Sequence, residues 1–141
     1  MRRPEFAILG AGALGSILAA HLARAGHSVA VLARGERARA VQQEGLRIKG
    51  LADFSVRVPV ITDPLELAAA DTLIVATKTP GTQAALERLS HLRVDTALSI
   101  QNGVLKDELL ARTFGAERVL GALADTSGEL LPSREVLLPG T

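Results

Sequence analysis

The chain has 141 residues and a mass of 14.7 kDa, the size of one ordinary globular domain. Its 48% hydrophobic content and mean hydropathy of +0.25 exclude a disordered or fibrous protein, and the absence of cysteine excludes disulfides, thiolate metal sites and cysteine nucleophiles. Sixteen Lys and Arg residues balance fifteen Asp and Glu residues and are scattered, which argues against a nucleic-acid or membrane-surface footprint and for a small-molecule partner.

Short apolar segments alternate with segments of helical periodicity along the chain. The apolar segments are typical of buried strands and are predicted at residues 5–9, 28–33, 72–76, 96–100, 118–122 and 134–138. Helices are predicted at residues 14–25, 36–44, 63–70, 79–89 and 105–114. Strands separated by helices imply right-handed crossovers, so we predict one α/β domain over residues 1–141 with a Rossmann-like, doubly wound, mainly parallel sheet.

Residues 45–60 depart from this alternation. Leu46 and Ile48 are apolar at every second position before a turn at residues 50–53, and the same period continues from Phe54 to Val60 after the turn. This pattern predicts a β-hairpin inserted into the doubly wound fold.

The tail of the chain ends on a turn signal. Pro139-Gly140 ordinarily sends the chain back along a partner strand, yet only Thr141 follows, and we therefore expect the sequence to be a piece of a longer protein. The apolar residues of the tail predict a surface for a further domain or for a second copy in a homodimer. They are Leu130, Leu131, Val136, Leu137 and Leu138.

The apolar stretch at residues 13–25 is interrupted by His21 and Arg24, so no transmembrane helix is predicted. The basic start at residues 1–3 resembles a signal peptide, but glycines break the apolar run that follows it. We expect a cytoplasmic protein.

A glycine motif, Gly10-Ala11-Gly12-Ala13-Leu14-Gly15, lies between the first predicted strand and the first predicted helix. In this position Gly10 makes a tight turn, Gly12 lets the backbone approach a pyrophosphate, and Gly15 permits close helix packing. The helix N-terminus then attracts the anion. Glycines that merely shape a turn are the alternative interpretation.

Arg34 ends the second predicted strand, where NAD-binding proteins place an acidic residue for the ribose 2′-hydroxyl. A guanidinium there favours a 2′-phosphate, so the predicted cofactor is NADP(H). Arg37 and Arg39 follow on the next helix. They are either further phosphate contacts or a solvated helix face, and the second interpretation is favoured for Arg39.

Three further residues follow later strands, at the edge where doubly wound sheets bind ligands. Lys78 and Asn102 offer an ammonium and an amide for ribose, phosphate or substrate oxygens, although a solvated loop cation and an Asn-Gly turn explain them equally well. Ser127 occupies the equivalent place after residues 118–122. His21, His27 and His91 have no metal-ligand spacing and are predicted to be structural.

The glycine motif, Arg34, the hairpin, Thr77-Lys78-Thr79 and Gln101-Asn102-Gly103 together resemble the N-terminal half of the ketopantoate reductase (2-dehydropantoate 2-reductase) family. The resemblance implies NADPH-dependent reduction of 2-dehydropantoate to pantoate, a step toward pantothenate and coenzyme A.

The resemblance also assigns roles to the candidate residues. It implies that residues 10–15 bind the pyrophosphate, that Arg34 binds the 2′-phosphate and that Lys78 binds the cofactor. Asn102 would lie where cofactor and substrate meet, and Ser127 near the nicotinamide. Gln101 departs from the family, which often has His there. The family's general-acid lysine belongs to a helical C-terminal domain that these 141 residues do not contain, so we expect NADPH binding with slow or no turnover.

Two other classes of protein carry similar glycine loops. One is the nucleotide-sensing Rossmann module of potassium-uptake regulators, which is complete at about this length. The other is a methyltransferase. Both ordinarily have an acidic residue at the position of Arg34, which argues against them.

Overall fold

The computed structural model describes residues 3–77, 81–100, 106–122 and 128–139. The strands are β1 Phe6–Leu9, β2 Val29–Leu32, β3 Leu46–Gly50, β4 Phe54–Val56, β5 Val60–Ile61, β6 Ala69–Val75, β7 Arg93–Ser99, β8 Glu129–Leu130 and β9 Val136–Leu138. The helices are α1 Ala13–Arg24, α2 Gly35–Glu44, α3 Thr82–Glu87 and α4 Lys106–Phe114. Single 3-10 turns lie at Pro64–Glu66 and Ala116–Arg118.

The main sheet has five strands in the order β5-β2-β1-β6-β7, and all of its pairings are parallel. Side chains of β1 alternate between its faces, with Ala7 and Leu9 in one buried cluster and Ile8 in the other. Leu86 of α3 and Leu110 of α4 belong to the first cluster. Helices α1 and α2 contribute to the second cluster. The sheet is therefore covered on both faces, which confirms the predicted doubly wound α/β fold.

A second sheet of four strands has the order β4-β3-β9-β8. Strands β3 and β4 form the predicted antiparallel hairpin, and β9 joins β3 in parallel. The sheet packs on α1, where Phe54 lies 5.0 Å from the His21 ring and 4.3 Å from the Arg24 guanidinium. The hairpin is thus half of a sheet that the tail completes.

The hairpin is shorter than the sequence predicted, because its second strand ends at Val56. Val60 pairs instead with Val31 of β2 at the edge of the main sheet. A period of two fits either arrangement, since both place alternate residues against apolar neighbours.

Other predicted elements also differ from the structure. The helix predicted at residues 63–70 is a single 3-10 turn, and β6 begins at Ala69 because that residue pairs with Arg93 of β7. Asp63 caps this turn, since its Oδ1 accepts from the Leu65 N–H at 3.0 Å. The strand predicted at residues 118–122 is reduced to one bridge between Val119 and Ala97.

The tail prediction is wrong for Val136, which is completely buried within this chain in the second sheet. Leu130 is exposed, with 42% of its surface accessible. Among the described residues, no helix is both long enough and apolar enough to cross a membrane.

Candidate functional site

The order of the main sheet reverses between β1 and β6, because β1 continues to β2 on one side while β6 and β7 lie on the other. Ligands of doubly wound sheets bind outside the carboxyl ends of the strands at this reversal. The loop after β1, which carries the glycine motif, and Thr77 after β6 both lie there.

The three glycines of the motif meet three different steric conditions. Gly10 has φ of +102°, and a Cβ there would lie 2.9 Å from the Thr77 side chain. A Cβ on Gly15 would lie 2.2 Å from the Gly10 carbonyl oxygen, so the helix can approach the loop only without a side chain. Around Gly12 nothing lies within 4 Å of that position, so its backbone is open to a ligand.

The N-terminus of α1 is free to receive an anion. Gly12 is its N-cap, no side chain caps the helix, and its first turn has no acidic residue. The first N–H groups of a twelve-residue helix therefore keep their hydrogen-bonding capacity and the positive end of the dipole. These are the elements of a phosphate-binding turn.

A cleft of about 440 Å³ opens beside this turn. Among the described residues, its lining includes three arginines and no carboxylate. The lining residues are Leu9, Gly10, Ala11, Gly12, Leu32, Ala33, Arg34, Arg37, Ile61, Thr62, Pro64, Thr77, Gly81, Ala84, Ala85, Arg88, Leu89 and Leu130. A mostly apolar wall with fixed cations suits a flat ring system that carries phosphate groups.

Arg34 lies at the mouth of the cleft as the N-cap of α2, with an exposed side chain. Its carbonyl accepts from the Ala38 N–H, but its guanidinium forms no hydrogen bond or ion pair with the described residues and is therefore available to a ligand. Arg39 is exposed on the same helix and does not line the cleft, in agreement with the predicted solvated face.

Arg37 lines the cleft but does not belong to a solvated helix face, because its guanidinium donates to groups of the protein. Nε donates to the Ala11 carbonyl at 2.6 Å, Nη2 to Ser16 Oγ at 2.9 Å and Nη1 to the Arg134 carbonyl at 3.3 Å. Burial, and then the neighbouring Arg47 charge, lower the pKa of Arg37, while Glu44 acts in the opposite direction. The side chain remains a cation.

Sequence reasoning missed two residues of the site. Ser16 is fully buried, and its hydroxyl donates to the Ala11 carbonyl at 2.9 Å. A buried serine inside an apolar helical period is a signal for such a bond. Arg88 lines the cleft from the α3 side, where its helical spacing from Ala84 and Ala85 was the available signal.

Lys78, Asn102 and Ser127 lie outside the described residues. Of the described residues at this edge of the sheet, Thr77 lines the cleft and Ser99 is buried at the carboxyl end of β7. Lys106 Nζ donates to the Ser99 carbonyl at 3.0 Å and to the Ala122 carbonyl. These two hydrogen bonds of Lys106 join β7 to the segment that follows α4.

The three histidines lie outside the cleft and bond within the protein, as predicted for structural residues. His21 contacts the Ile17 carbonyl at 2.8 Å, His27 contacts Glu5 at 3.0 Å, and His91 contacts the Pro64 and Leu67 carbonyls. Within the described ranges no group of three His, Cys, Asp or Glu residues could hold a metal ion.

Comparison with known proteins agrees with this geometry. The family model described as ketopantoate reductase PanE/ApbA matches residues 6–140. The chain belongs to the ketopantoate reductase PanE/ApbA family. A 2-dehydropantoate 2-reductase of Archaeoglobus fulgidus is 32% identical over 140 residues, which are 99% of this chain and 46% of that protein.

Solved structures of the ketopantoate reductase family share the fold. The crystal structure of 2-dehydropantoate 2-reductase from Geobacter metallireducens superposes with a TM-score of 0.86 at 33% identity, over 96% of this chain and 46% of that one. D-mandelate dehydrogenase, solved with NADH and anilino(oxo)acetate, has a TM-score of 0.86 at 20% identity over 96% of this chain and 46% of its own, a likeness of fold. The chain spans about half the length of these relatives.

Proposed function

We propose that this chain binds NADPH and forms the cofactor-binding half of a 2-dehydropantoate 2-reductase. The observation that carries the proposal is the unbonded guanidinium of Arg34 in a cleft whose described lining residues include no carboxylate, beside an uncapped helix N-terminus. Membership of the ketopantoate reductase family supports the reaction class.

Residues 10–15 would hold the pyrophosphate. The open backbone at Gly12 and the free N–H groups at the start of α1 fit a diphosphate, and a side chain at Gly12 would occupy the same space. The apolar wall formed by Ile61, Pro64 and Ala85 would take the adenine ring.

Arg34 would bind the 2′-phosphate. A hydrogen bond to a charged group is worth about 1.5–3 kcal/mol, so this contact would favour NADPH over NADH by about tenfold to a hundredfold. Since D-mandelate dehydrogenase shares the fold and was solved with NADH, the fold alone does not select the phosphorylated cofactor. The selection would rest on the side chain at this position.

Lys78, Asn102 and Ser127 complete the proposed site. We propose that Lys78 contacts the cofactor, that Asn102 and Lys78 orient the keto acid, and that Ser127 lies near the nicotinamide. A bound, reduced nicotinamide would supply the hydride for reduction of the ketone. The ketone oxygen would gain negative charge, so the complete site would need a positioned donor and the exclusion of water.

We expect the 141-residue chain to reduce the keto acid slowly or not at all. It spans 46% of the Archaeoglobus enzyme, and the resemblance puts the general-acid lysine in the part beyond that match. A cytoplasmic location and a homodimer likewise remain predictions.

Titration of the chain with NADPH, NADH and S-adenosylmethionine tests the proposal. We expect nicotinamide fluorescence to report NADPH binding at least about tenfold tighter than NADH binding, with no competition by S-adenosylmethionine. Preferred NADH binding would indicate the nucleotide-sensing alternative, and competition by S-adenosylmethionine would indicate a methyltransferase. Robust turnover of 2-dehydropantoate by this chain would contradict the slow-turnover expectation.

A further inference from the structure

Arg37 connects three segments that are far apart in sequence. Its guanidinium joins the glycine loop at Ala11, the first helix at Ser16, and the loop between β8 and β9 at Arg134. A planar fork with donors at fixed angles can hold these three acceptors at once, which a single ammonium cannot do.

The Ala11 carbonyl receives two of the donors in this network. Arg37 Nε lies 2.6 Å and Ser16 Oγ 2.9 Å from its oxygen, and Ser16 also accepts from Arg37 Nη2. The three groups form a closed triangle in which the hydroxyl acts as both donor and acceptor. Each member therefore restricts the orientation of the other two.

The orientation of this carbonyl decides where the next N–H group points. The peptide between Ala11 and Gly12 is planar and trans, as the chain contains no cis bond among its described residues. Its C=O and N–H therefore point in opposite directions. With the oxygen held by Arg37 and Ser16, the Gly12 N–H is fixed on the opposite side of the peptide.

The same contact reduces an unfavourable charge interaction. A backbone oxygen beside a diphosphate site repels the ligand, because both carry negative charge. A carbonyl that accepts from a guanidinium and a hydroxyl has this charge compensated. Arg37 itself is half-buried and keeps its positive charge next to the loop.

We infer that Arg37 is a positioning residue for diphosphate binding, acting through the Ala11 carbonyl and Ser16 rather than through the 2′-phosphate. The inference rests on the proposed function, since it assumes a dinucleotide in the cleft. Arg34 and Arg37 therefore have different roles. Arg34 binds the 2′-phosphate of the adenosine, and Arg37 orients the glycine loop that binds the diphosphate of both NADPH and NADH.

Three ligands distinguish these roles in the 141-residue chain. NADPH carries both the diphosphate and the 2′-phosphate, NADH carries only the diphosphate, and adenosine 2′-monophosphate carries only the 2′-phosphate. Binding of the two dinucleotides is measured by nicotinamide fluorescence and binding of the nucleotide by calorimetry. The variants are Arg37→Ala, Arg37→Lys and Ser16→Ala, with Arg39→Ala as the matched control on the same helix.

We expect Arg37→Ala to weaken NADPH and NADH by the same factor, on the order of tenfold, because the helix-terminus site loses its fixed geometry. Adenosine 2′-monophosphate should bind as it does to the wild type. Arg37→Lys should recover only a small part of the loss, and Ser16→Ala should show a weaker loss with the same ligand pattern. Arg39→Ala should leave all three dissociation constants unchanged.

Several results would overturn the inference. Equal loss of adenosine 2′-monophosphate binding would mean a direct 2′-phosphate contact or a damaged fold, and full rescue by lysine would mean that charge alone matters. Unchanged dinucleotide binding in both Arg37→Ala and Ser16→Ala would exclude a positioning role while the proposed function stands. A wild-type chain that binds neither dinucleotide would instead contradict the proposed function, and the inference with it.

Discussion

Arg34 and Arg37 are one helical turn apart, yet they have different environments. Arg34 is the extended N-cap residue of α2, with φ of −143° and ψ of 166°, and its side chain is exposed at the cleft. Arg37 lies on the side of the helix that faces the glycine loop and is half-buried. The position on the helix, and not the residue type, decides which of the two guanidinium groups bonds to described groups of the protein.

Arg34→Ala should reduce NADPH affinity by about tenfold to a hundredfold while NADH affinity changes little, because one charge-assisted phosphate contact is lost. Arg34→Asp should reduce or reverse the preference for NADPH over NADH, since a carboxylate accepts from the ribose 2′-hydroxyl and repels a phosphate. Parallel fluorescence titrations with both cofactors measure the ratio of the dissociation constants for NADH and NADPH. Equal losses for the two cofactors would argue against 2′-phosphate recognition by Arg34.

The site was predictable from sequence where a residue acts through its own position in a motif. The glycines and Arg34 are such residues, because their spacing from a predicted strand end determines where they lie. Arg37 was not, since its acceptors are the Ala11 and Arg134 carbonyls, which belong to loops distant in sequence. Backbone carbonyls carry no residue-type signal.

The strand, loop and helix formed by β1, the glycine motif and α1 act as one element. Gly10 donates its N–H to the Leu32 carbonyl at 2.9 Å, and Gly15 lies against the Gly10 oxygen. The start of α1 is therefore held against both β1 and β2. Two glycines of the motif serve this packing, whereas Gly12 faces open space.

Gly15→Ala should mainly lower the stability of the protein, whereas Gly12→Ala should mainly lower its affinity for NADPH. Gly15→Ala places a methyl group 2.2 Å from a backbone oxygen and should lower the free energy of unfolding by about 1–3 kcal/mol or more. Gly12→Ala should cost less than about 1 kcal/mol of stability, as an N-cap change without steric conflict.

The Gly12 variant should instead lose NADPH affinity, by about tenfold or more, because its methyl group would occupy the space of the ligand. Urea unfolding and NADPH titration of both variants measure the two effects. A Gly12→Ala chain with wild-type affinity would contradict diphosphate binding at this loop.

Element boundaries were harder to predict than element types. Ala69 lies in an alanine-rich segment that favours a helix, but pairing with Arg93 makes it the first residue of β6. Val60 continues the alternating pattern of the hairpin and yet belongs to the edge of the main sheet. In both cases a partner distant in sequence overrides the local pattern.

An ion network centred on Glu44 joins the end of α2 to the second sheet at the surface. Its Oε1 lies 2.7 Å from Arg134 Nη1, and its Oε2 lies 2.8 Å from Arg47 Nη2. Arg134 has φ of +72°, which is uncommon for a residue other than glycine. Its carbonyl and its guanidinium are both bound, which holds the loop between β8 and β9 against α2.

This network predicts a pH-dependent contribution to stability. The hydrogen bond from Arg134 is the largest of the causes that lower the pKa of Glu44. A carboxylate whose pKa is lowered on folding stabilises the protein above its unfolded pKa of about 4.3, and loses that contribution as the pH falls through the folded value. Glu44→Gln should therefore lower Tm at neutral pH, and the difference should shrink toward zero below about pH 4.

Thermal unfolding of the wild type and the Glu44→Gln variant between acidic and neutral pH measures this effect. Glu87→Gln is the control, since Glu87 is exposed and forms no ion pair among the described residues. A Tm difference that persists unchanged at pH 3 would indicate that Glu44 stabilises the protein through packing and not through its charge.

The parallel pairing of Ile48 with Val136 has a consequence for the order of folding. The hairpin is synthesised before β9, and at a synthesis rate of about 5–20 residues per second its edge stays unpaired for several seconds until that strand is made. An open edge of this kind is a template for association between nascent chains. Completion of the second sheet, and with it the contact between Arg134 and Arg37, therefore follows synthesis of the hairpin by several seconds.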